Sequence, residues 1–312
     1  MKGNTWIESW FEKCEELEIK PWEWDFKQSY IKEPIPKDKS SIELILDYKS
    51  RTLKEIGICN VTKKTGRKAD CDKEPFTIYQ LLWRTDYEPE SESQLYLDRY
   101  NLLRGETMNS FWTTFKNSVI SSKNKNALYN EIGININPRK SLKDQCHLLI
   151  SNEKFKEFKQ IKDNIAAFEK FATATHCIGN FTVLPHWMNS GRRPFSEDYW
   201  DVTLQSFFDF FKPMGCWKDF VEIYFLQPYV NNDNEWTVSE FWEGHFLSIG
   251  KPKQLTPQNQ KELSEYLHKV NFRIEERGKW IIKKVCEELK LQHFKFYNEL
   301  KDMQIRFSNE MN

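Results

Sequence analysis

The sequence predicts a mainly α fold: a single compact, aromatic-rich helical domain with at most a few short strands. Several segments repeat apolar residues at the 3.6-residue spacing of an amphipathic helix. Aromatic residues make up 15% of the 312 residues, which favours a core of large rings over exposed rings that stack on bases or sugars. Hydrophobic residues at 39% and charged residues at 29% are typical of a folded chain.

The N-terminal part is predicted to alternate short helices with turns. Residues 5–18 fit an amphipathic helix. Its apolar face carries Trp6, Trp10, Cys14 and Leu17. Prolines exclude a helix interior around residues 34–36, and a second helix is predicted from Ser41, its N-cap, to Gly57. Residues 76–88 mix β-branched and aromatic side chains, which allows a strand.

The central part carries the strongest apolar patterns. Residues 94–121 have helical spacing, interrupted at Gly105 by a polar run, 104–110, that we place inside or between buried helices. Residues 123–137 are rich in Asn and Lys and are predicted to form a mobile connection. Residues 153–174 are predicted as one helix. Its apolar stripe consists of Phe155, Phe158, Ile161, Ile165, Phe168 and Phe171.

Further helical segments are predicted in the C-terminal part, at residues 198–211, 217–227, 236–246 and 256–307. The second of these also fits a buried strand. The last segment opens with Thr256 as N-cap and Pro257 at the first helical position, and it is expected to break near Gly278. No internal repeat or clear linker is present, so we expect one domain over residues 1–312, with an N-terminal subregion at 1–90.

Charge and cysteine content narrow the class of protein. Lys plus Arg and Asp plus Glu both number 46, and this balance argues against extensive coating of duplex DNA. Residues 49–68 form a local basic stretch, which fits either a solvated loop or a phosphate-contacting patch. The sequence contains no apolar run that could span a membrane and no secretory signal, so we expect a cytoplasmic protein with no membrane partner. The seven cysteines form no CxxC pair, which predicts free thiols and no tightly bound zinc.

One segment, Thr175 to Arg193, concentrates polar chemistry after a predicted helix. Gly179 allows a backbone conformation that other residues avoid. Neutral polar side chains are supplied by His176, Asn180, His186 and Asn189, and planar cations by Arg192 and Arg193. Such cations suit phosphate or carboxylate groups. The turn from His176 to Phe181 also fits a purely structural role, because buried polar groups commonly satisfy backbone atoms.

The run GNFTVLP at Gly179–Pro185, followed by Asn189, resembles the GNLTLLP…N stretch in the C-terminal nuclease domain of GmrSD-type restriction enzymes, which belong to the HNH superfamily. The resemblance implies that Asn180 braces the fold or the catalytic loop and that Asn189 lies near a divalent metal, Mg²⁺ or Mn²⁺. His176 or His147 would then activate water. The chain lacks the upstream Asp-His or Glu-His followed by Ile and Pro that this family uses.

Two segments together also resemble an uncharacterised bacterial family that pairs an RGDTMNSF-like motif with a later HTIGNF…P…N…R motif. Here these motifs are Arg104–Phe111 and His176–Phe181. The resemblance implies a bacterial or phage origin and no particular activity. Because both motifs place polar groups in apolar surroundings, we expect them to meet, with each supplying hydrogen-bond partners to the other.

Three functions are compatible with these observations. The first is a nucleic-acid or nucleotide-directed enzyme, a diverged HNH-like hydrolase in a phage-defence setting, with catalytic residues His176, Asn180 and Asn189. The second is a non-catalytic binding or sensor module for a phosphate-bearing ligand. Its ligand-binding residues would be Arg104, Glu106, Asn109, Arg192 and Arg193. The third is a helical interaction subunit for a protein partner, with an exposed apolar patch on its C-terminal helix.

Overall fold

A computed structural model of the chain describes residues 2–26, 38–50, 73–83, 103–137, 142–185, 199–246 and 256–310. Its α-helices are α1 (Lys2–Glu16), α2 (Ser41–Ser50), α3 (Lys73–Leu82), α4 (Phe111–Ser118), α5 (Lys125–Ile132), α6 (Leu142–Ile150), α7 (Lys159–Lys162), α8 (Ile165–Ala174), α9 (Trp200–Phe211), α10 (Trp217–Ile223) and α11 (Gln260–Leu289). The strands are β1 (Leu103–Thr107) and β2 (Phe181–Pro185). The protein is therefore mainly α, as the sequence predicts.

Strands β1 and β2 pair in antiparallel fashion and bring two distant segments together. Leu103 lies opposite Pro185, and Thr107 lies opposite Phe181. The prediction of helix through 94–121 is wrong at β1. Gly105 lowers helix propensity there, and the β-favouring residues of β2 supply backbone partners, so strand pairing outweighs the helical spacing.

Helix α11 is the longest element described, at 30 residues. It begins at Gln260, with Asn259 as N-cap, and not at Pro257 as predicted. It also continues through Gly278 without a break and ends at Leu289, where Lys290 takes the left-handed conformation with φ 58°. Tertiary packing on both halves of the helix outweighs the roughly 1 kcal/mol that an interior glycine costs. No helix in the described part of the chain is both long and apolar enough to cross a membrane.

The buried apolar side chains form two clusters, and α11 contributes to both. The first cluster packs α2, α4 and α8–α10 against the first half of α11, through residues such as Tyr266 and Ile274. The second packs α1 and α3 against the second half, through residues such as Ile281 and Val285. Ring contacts are frequent in both, for example Phe111 with Phe171 at 5.6 Å between centroids. The predicted aromatic core is confirmed.

Two segments in the first half of the chain differ from their prediction. Residues 76–88 were expected to allow a strand, but their first part lies in helix α3, because Phe76 and Tyr79 are buried at helical spacing. Leu17, expected on the apolar face of α1, lies beyond the end of that helix and is 53% exposed. A reciprocal pair of hydrogen bonds with Glu43 makes Ser40, one residue before the predicted cap, the N-cap of α2.

Three later segments also differ. Residues 123–137 do not form a loose connection: they contain α5, which buries Leu128 and Ile132 and is followed by Gly133 with φ 74°. Residues 153–174 form a short 3-10 helix, α7 and α8 rather than one helix. Residues 236–246 form turns and an isolated bridge from Val238 to Val230 instead of a helix. Helix α9 agrees with its prediction, and α10 selects the helical alternative for 217–227.

Candidate functional site

The polar turn between α8 and β2 is fixed by Asn180. Its side-chain Oδ1 accepts a hydrogen bond from Asn109 N at 2.9 Å. Its Nδ2 donates to Asn109 O and to Thr175 O, both at 2.9 Å. Asn180 is fully buried, and these bonds use both of its donor hydrogens. The prediction that the two sequence motifs meet is confirmed at Asn109 and Asn180.

The strand pairing continues this contact along both motifs. Met108 N donates to Asn180 O at 2.7 Å, which carries the β1–β2 ladder into the turn. The backbone of Arg104 lies opposite Leu184, and that of Glu106 lies opposite Thr182. The side chains of Arg104 and Glu106 lie outside the described part of the structure, so their predicted contacts with a ligand remain predictions.

Gly179 is required here for space and not for its backbone conformation. The left-handed glycines in the described residues are Gly133, Gly215 and Gly244. A Cβ on Gly179 would lie 1.9 Å from Ile274 O and 2.9 Å from Gly278 N. The turn therefore rests directly on the backbone of α11, and the conformational reason expected from the sequence is replaced by close packing.

Arg277 of α11 holds the same turn through its side chain. Its Nη1 donates to Gly179 O at 2.9 Å and to Phe181 O at 2.7 Å. Its Nε and Nη2 donate to Tyr224 O at 3.2 and 3.1 Å, and Nη2 also donates to the hydroxyl of Tyr79. The guanidinium is fully buried, and carbonyl oxygens rather than a carboxylate surround it. Arg277 thus holds the turn rigidly against α11 and α3.

His176, the predicted catalytic histidine, lies against Asp25 from the N-terminal segment. Its Nδ1 is 3.7 Å from Asp25 Oδ1, and the two side chains are 5% and 12% exposed. Phe26 N donates to His176 O at 3.2 Å, which fixes the segment that carries Asp25 beside the turn. The carboxylate is therefore placed to orient the imidazole and to stabilise its charged form.

Two adjoining clefts open beside this pair. The first has a volume of 230 Å³ and is lined by the segment around Glu23 and Asp25, by α2 and by Thr173 of α8. The second, of 280 Å³, lies between the same segment, α8 and α11. Glu23 and Thr173 line both clefts, so the two clefts adjoin, and together they are called the groove.

The groove carries carboxylates of different character. Partial burial raises the pKa of Glu23, and the nearby charge of Glu275 raises it further, although the residue as a whole is exposed and solvent screens the effect. Burial also acts to raise the pKa of Glu275, but hydrogen bonds from Lys170, at 2.6 Å, and from Lys279 lower it overall. Glu275 is therefore held as a charged partner of the two lysines.

The cysteine beside the groove is inert. Burial raises the pKa of the Cys177 thiol to about 12, and its Sγ donates to Ala174 O at 3.0 Å. A protonated, hydrogen-bonded thiol is a poor nucleophile. In the described part of the chain, Cys14, Cys146, Cys177, Cys216 and Cys286 are free, as expected. No group of three or more His, Cys, Asp or Glu side chains there is placed to hold a metal ion.

The remaining predicted site residues lie wholly or partly outside the described part of the structure. Asn189, Arg192 and Arg193 fall within residues 186–198, and the basic stretch 49–68 falls almost entirely within residues 51–72. The backbone of His147 lies in α6, but its side chain is not described. Their proposed roles near a metal or phosphate therefore stay predictions.

The sequence patterns did not identify Asp25 and Arg277 as residues of the site. Asp25 lies in the run PWEWDF, where the surrounding Trp and Phe residues are a weak sign that the acid sits against the core. Arg277 follows Arg273 at helical spacing, and both occupy buried positions of α11. An arginine repeated at i and i+4 within an apolar stripe was the available signal for a buried polar contact.

No family model matches this chain, and neither a curated protein nor a solved structure matches it.

Proposed function

We propose that this protein is a hydrolase that acts on nucleic acid or a nucleotide, with His176 as the general base beside the groove. The observation that carries the proposal is the placement of His176 Nδ1 at 3.7 Å from Asp25, because Asp25 itself lines the groove. A carboxylate behind an imidazole is the arrangement that prepares histidine to take a proton from water.

In this mechanism Asp25 acts on Nδ1 of the His176 imidazole, and Nε2 is the nitrogen that takes the proton. As His176 removes a proton from the attacking water, its ring becomes positively charged, and the Asp25 carboxylate stabilises that charge. The separation of 3.7 Å is longer than a hydrogen bond, and such contacts commonly tighten when substrate binds. Asp25 is a positioning residue here, since it acts through His176.

Asn180 supports this proposal by bracing the segment that carries His176. Its side chain bonds to Asn109 and to Thr175, which directly precedes His176. The resemblance to HNH-type domains assigns the same bracing role to the first asparagine. Asn189 would help to hold Mg²⁺ or Mn²⁺, and Arg192 and Arg193 would attract the phosphate. These three assignments rest on the sequence.

The test is hydrolysis by the purified full chain of single- and double-stranded DNA and RNA and of nucleotides, with Mn²⁺. We expect His176→Ala to lower kcat by about 100- to 10,000-fold, because this is the typical contribution of a general base. Asp25→Asn should lower kcat less, with little change in KM. The matched controls are His293→Ala and Asp209→Asn, at exposed positions away from the groove.

The outcome separates this proposal from its alternatives. Hydrolysis that survives in His176→Ala, or absence of hydrolysis with every substrate, contradicts the enzyme. Binding of nucleotide without cleavage, lost in Arg192→Ala, would favour a binding module. The interaction-subunit alternative has less support, since the exposed large apolar side chains among the described residues lie off α11. They are Leu17, Tyr129, Leu148, Met214 and Ile223.

A further inference from the structure

A separate polar pocket of 130 Å³ lies at the N-terminus of α11, where that helix meets the end of α4 and the loop that follows it. Ser118, Ser121 and Gln160 line it on one side, and Gln260, the first residue of α11, lines it on the other. The side chains that line the pocket are neutral, apart from the cationic Lys123. The pocket does not share residues with the groove beside His176.

Three residues that line this pocket each carry a buried polar atom without a hydrogen-bond partner: Ser118 Oγ, Ser121 Oγ and Gln160 Oε1. Ser118 is only 8% exposed as a residue. Buried polar groups are normally paired, and an unpaired one costs stability. Three unpaired groups around one small pocket indicate that the pocket is built for a polar ligand.

The orientation of Gln160 is determined by its neighbour. Asn124 Nδ2 donates to Ser118 O at 2.6 Å and to Val119 O at 3.1 Å. The Asn124 Oδ1 is therefore left as an acceptor, and it accepts from Gln160 Nε2 at 3.2 Å. This bond identifies Oε1 as the remaining atom of the Gln160 amide, a buried acceptor without a partner that a donor on a ligand would satisfy.

Two features of the pocket favour an anion: the N-terminus of a helix and a lysine. The first N–H groups of a helix have no partner within the helix, and the dipole of a 30-residue helix favours an anion at this end. Lys123 lies at the rim, where its Nζ donates to Gln258. One acid is close: Glu262 accepts from Gln258 N at 2.7 Å and from Asn259 Nδ2 at 2.8 Å. Glu262 is satisfied by these capping contacts and does not line the pocket.

We infer that this pocket binds a phosphate group, either as inorganic phosphate or as the terminal phosphate monoester of a nucleotide. The two serine hydroxyls and the helix N-terminus donate to phosphate oxygens. Inorganic phosphate keeps a proton at neutral pH and donates this O–H to Gln160 Oε1, whereas a monoester, whose second pKa is about 6, donates in its singly charged form. Sulfate carries no proton at neutral pH, so it would leave that acceptor unpaired and would bind less tightly.

The test is calorimetric titration of the full chain with inorganic phosphate, with sulfate and with adenosine 5′-monophosphate, at about pH 6, where a large share of the monoester keeps its proton. We expect one phosphate per chain and about tenfold or more weaker binding of sulfate, because a lost hydrogen bond to a charged group has about this effect. Tighter binding of the nucleotide than of phosphate identifies the monoester as the source. Equal binding identifies free phosphate.

Three variants connect the binding to the pocket. Ser118→Ala and Ser121→Ala should each weaken phosphate binding, and Gln160→Glu should abolish it, because its carboxylate repels the anion. Ser206→Ala is the control, since Ser206 is half-buried on α9 and bonds to Val202 O. Circular dichroism establishes that each variant is folded. The inference would be overturned by absence of phosphate binding or by equally tight binding of sulfate. It would also be overturned if binding were unchanged in the serine variants, because the phosphate would then be an adventitious ion only. The inference about phosphate binding does not depend on the hydrolase proposal, because the pocket and the groove share no lining residues.

Discussion

At the scale of single residues, the turn between α8 and β2 is held by atoms that are fully engaged in hydrogen bonds or close packing. The side-chain N–H groups of Asn180 both donate to backbone carbonyls, and Gly179 packs so closely on α11 that a side chain would not fit there. Asn180 therefore fits a bracing role better than direct contact with substrate. His176 differs from both, because its side chain faces the carboxylate of Asp25 at the groove.

The close contact at Gly179 predicts a large effect of a single methyl group. Gly179→Ala places Cβ against Ile274 O of the α11 backbone, which cannot move without distorting the helix. We expect a loss of about 3 kcal/mol or more in the free energy of unfolding, measured by urea denaturation. The matched control is Gly133→Ala, where φ is 74° but nothing lies within 4 Å. That variant should lose only about 1 kcal/mol. Equal losses would contradict this account.

At the scale of elements, the spacing of apolar residues predicted the helices, whose hydrogen bonds are local in the chain. Helix α9 and the helical character of α8 and α11 follow from apolar spacing. Strand β1 could not be predicted in this way, because its conformation depends on β2, which lies more than 70 residues later in the chain. The site divides in the same way. Asn180 and Asn109 were identifiable as polar groups in apolar surroundings, but the approach of Asp25 to His176 is a long-range contact without a sequence period.

Helix α2 provides a prediction about pH at the scale of an element. Burial acts to raise the pKa of Glu43, but hydrogen bonds from Ser40 and the charge of Lys156 lower it overall. A lowered pKa in the folded state stabilises the fold above the pKa of an unfolded glutamate, about 4.3, and this contribution is lost as the pH falls through the folded value.

Glu43→Gln should therefore lose about 0.5–1 kcal/mol of unfolding free energy at pH 7, since glutamine keeps an acceptor for the cap but not the charge at the helix N-terminus. Below about pH 3 the variant and the parent protein should unfold at the same urea concentration. Glu12→Gln, at an exposed glutamate on α1, is the comparison for a general loss of negative charge. A difference that persists unchanged at low pH would argue against the capping charge.

At the scale of the whole molecule, α11 is the element shared by the two apolar clusters. Its first half packs into one and its second half into the other, and Arg277 lies near the boundary between them. Arg277 also bonds to α3 through Tyr79 and to the carbonyl of Tyr224 after α10. A single guanidinium thus connects elements that are far apart in sequence, and we expect the two clusters to unfold together as one domain.

Arg277→Lys tests this expectation. An ammonium group cannot reach the carbonyls of Gly179, Phe181 and Tyr224 at once, so buried acceptors would be left unpaired beside a buried charge. We expect a loss of about 3–5 kcal/mol in unfolding free energy. Hydrogen exchange read by mass spectrometry should show faster exchange by a similar factor in peptides from α1, in the second cluster, and from α9, in the first. The control is Arg306→Lys, because this side chain is 48% exposed and a lysine there can still pair with the buried carboxylate of Glu276. Faster exchange confined to one cluster would mean that the clusters unfold independently and that the chain is not a single cooperative domain.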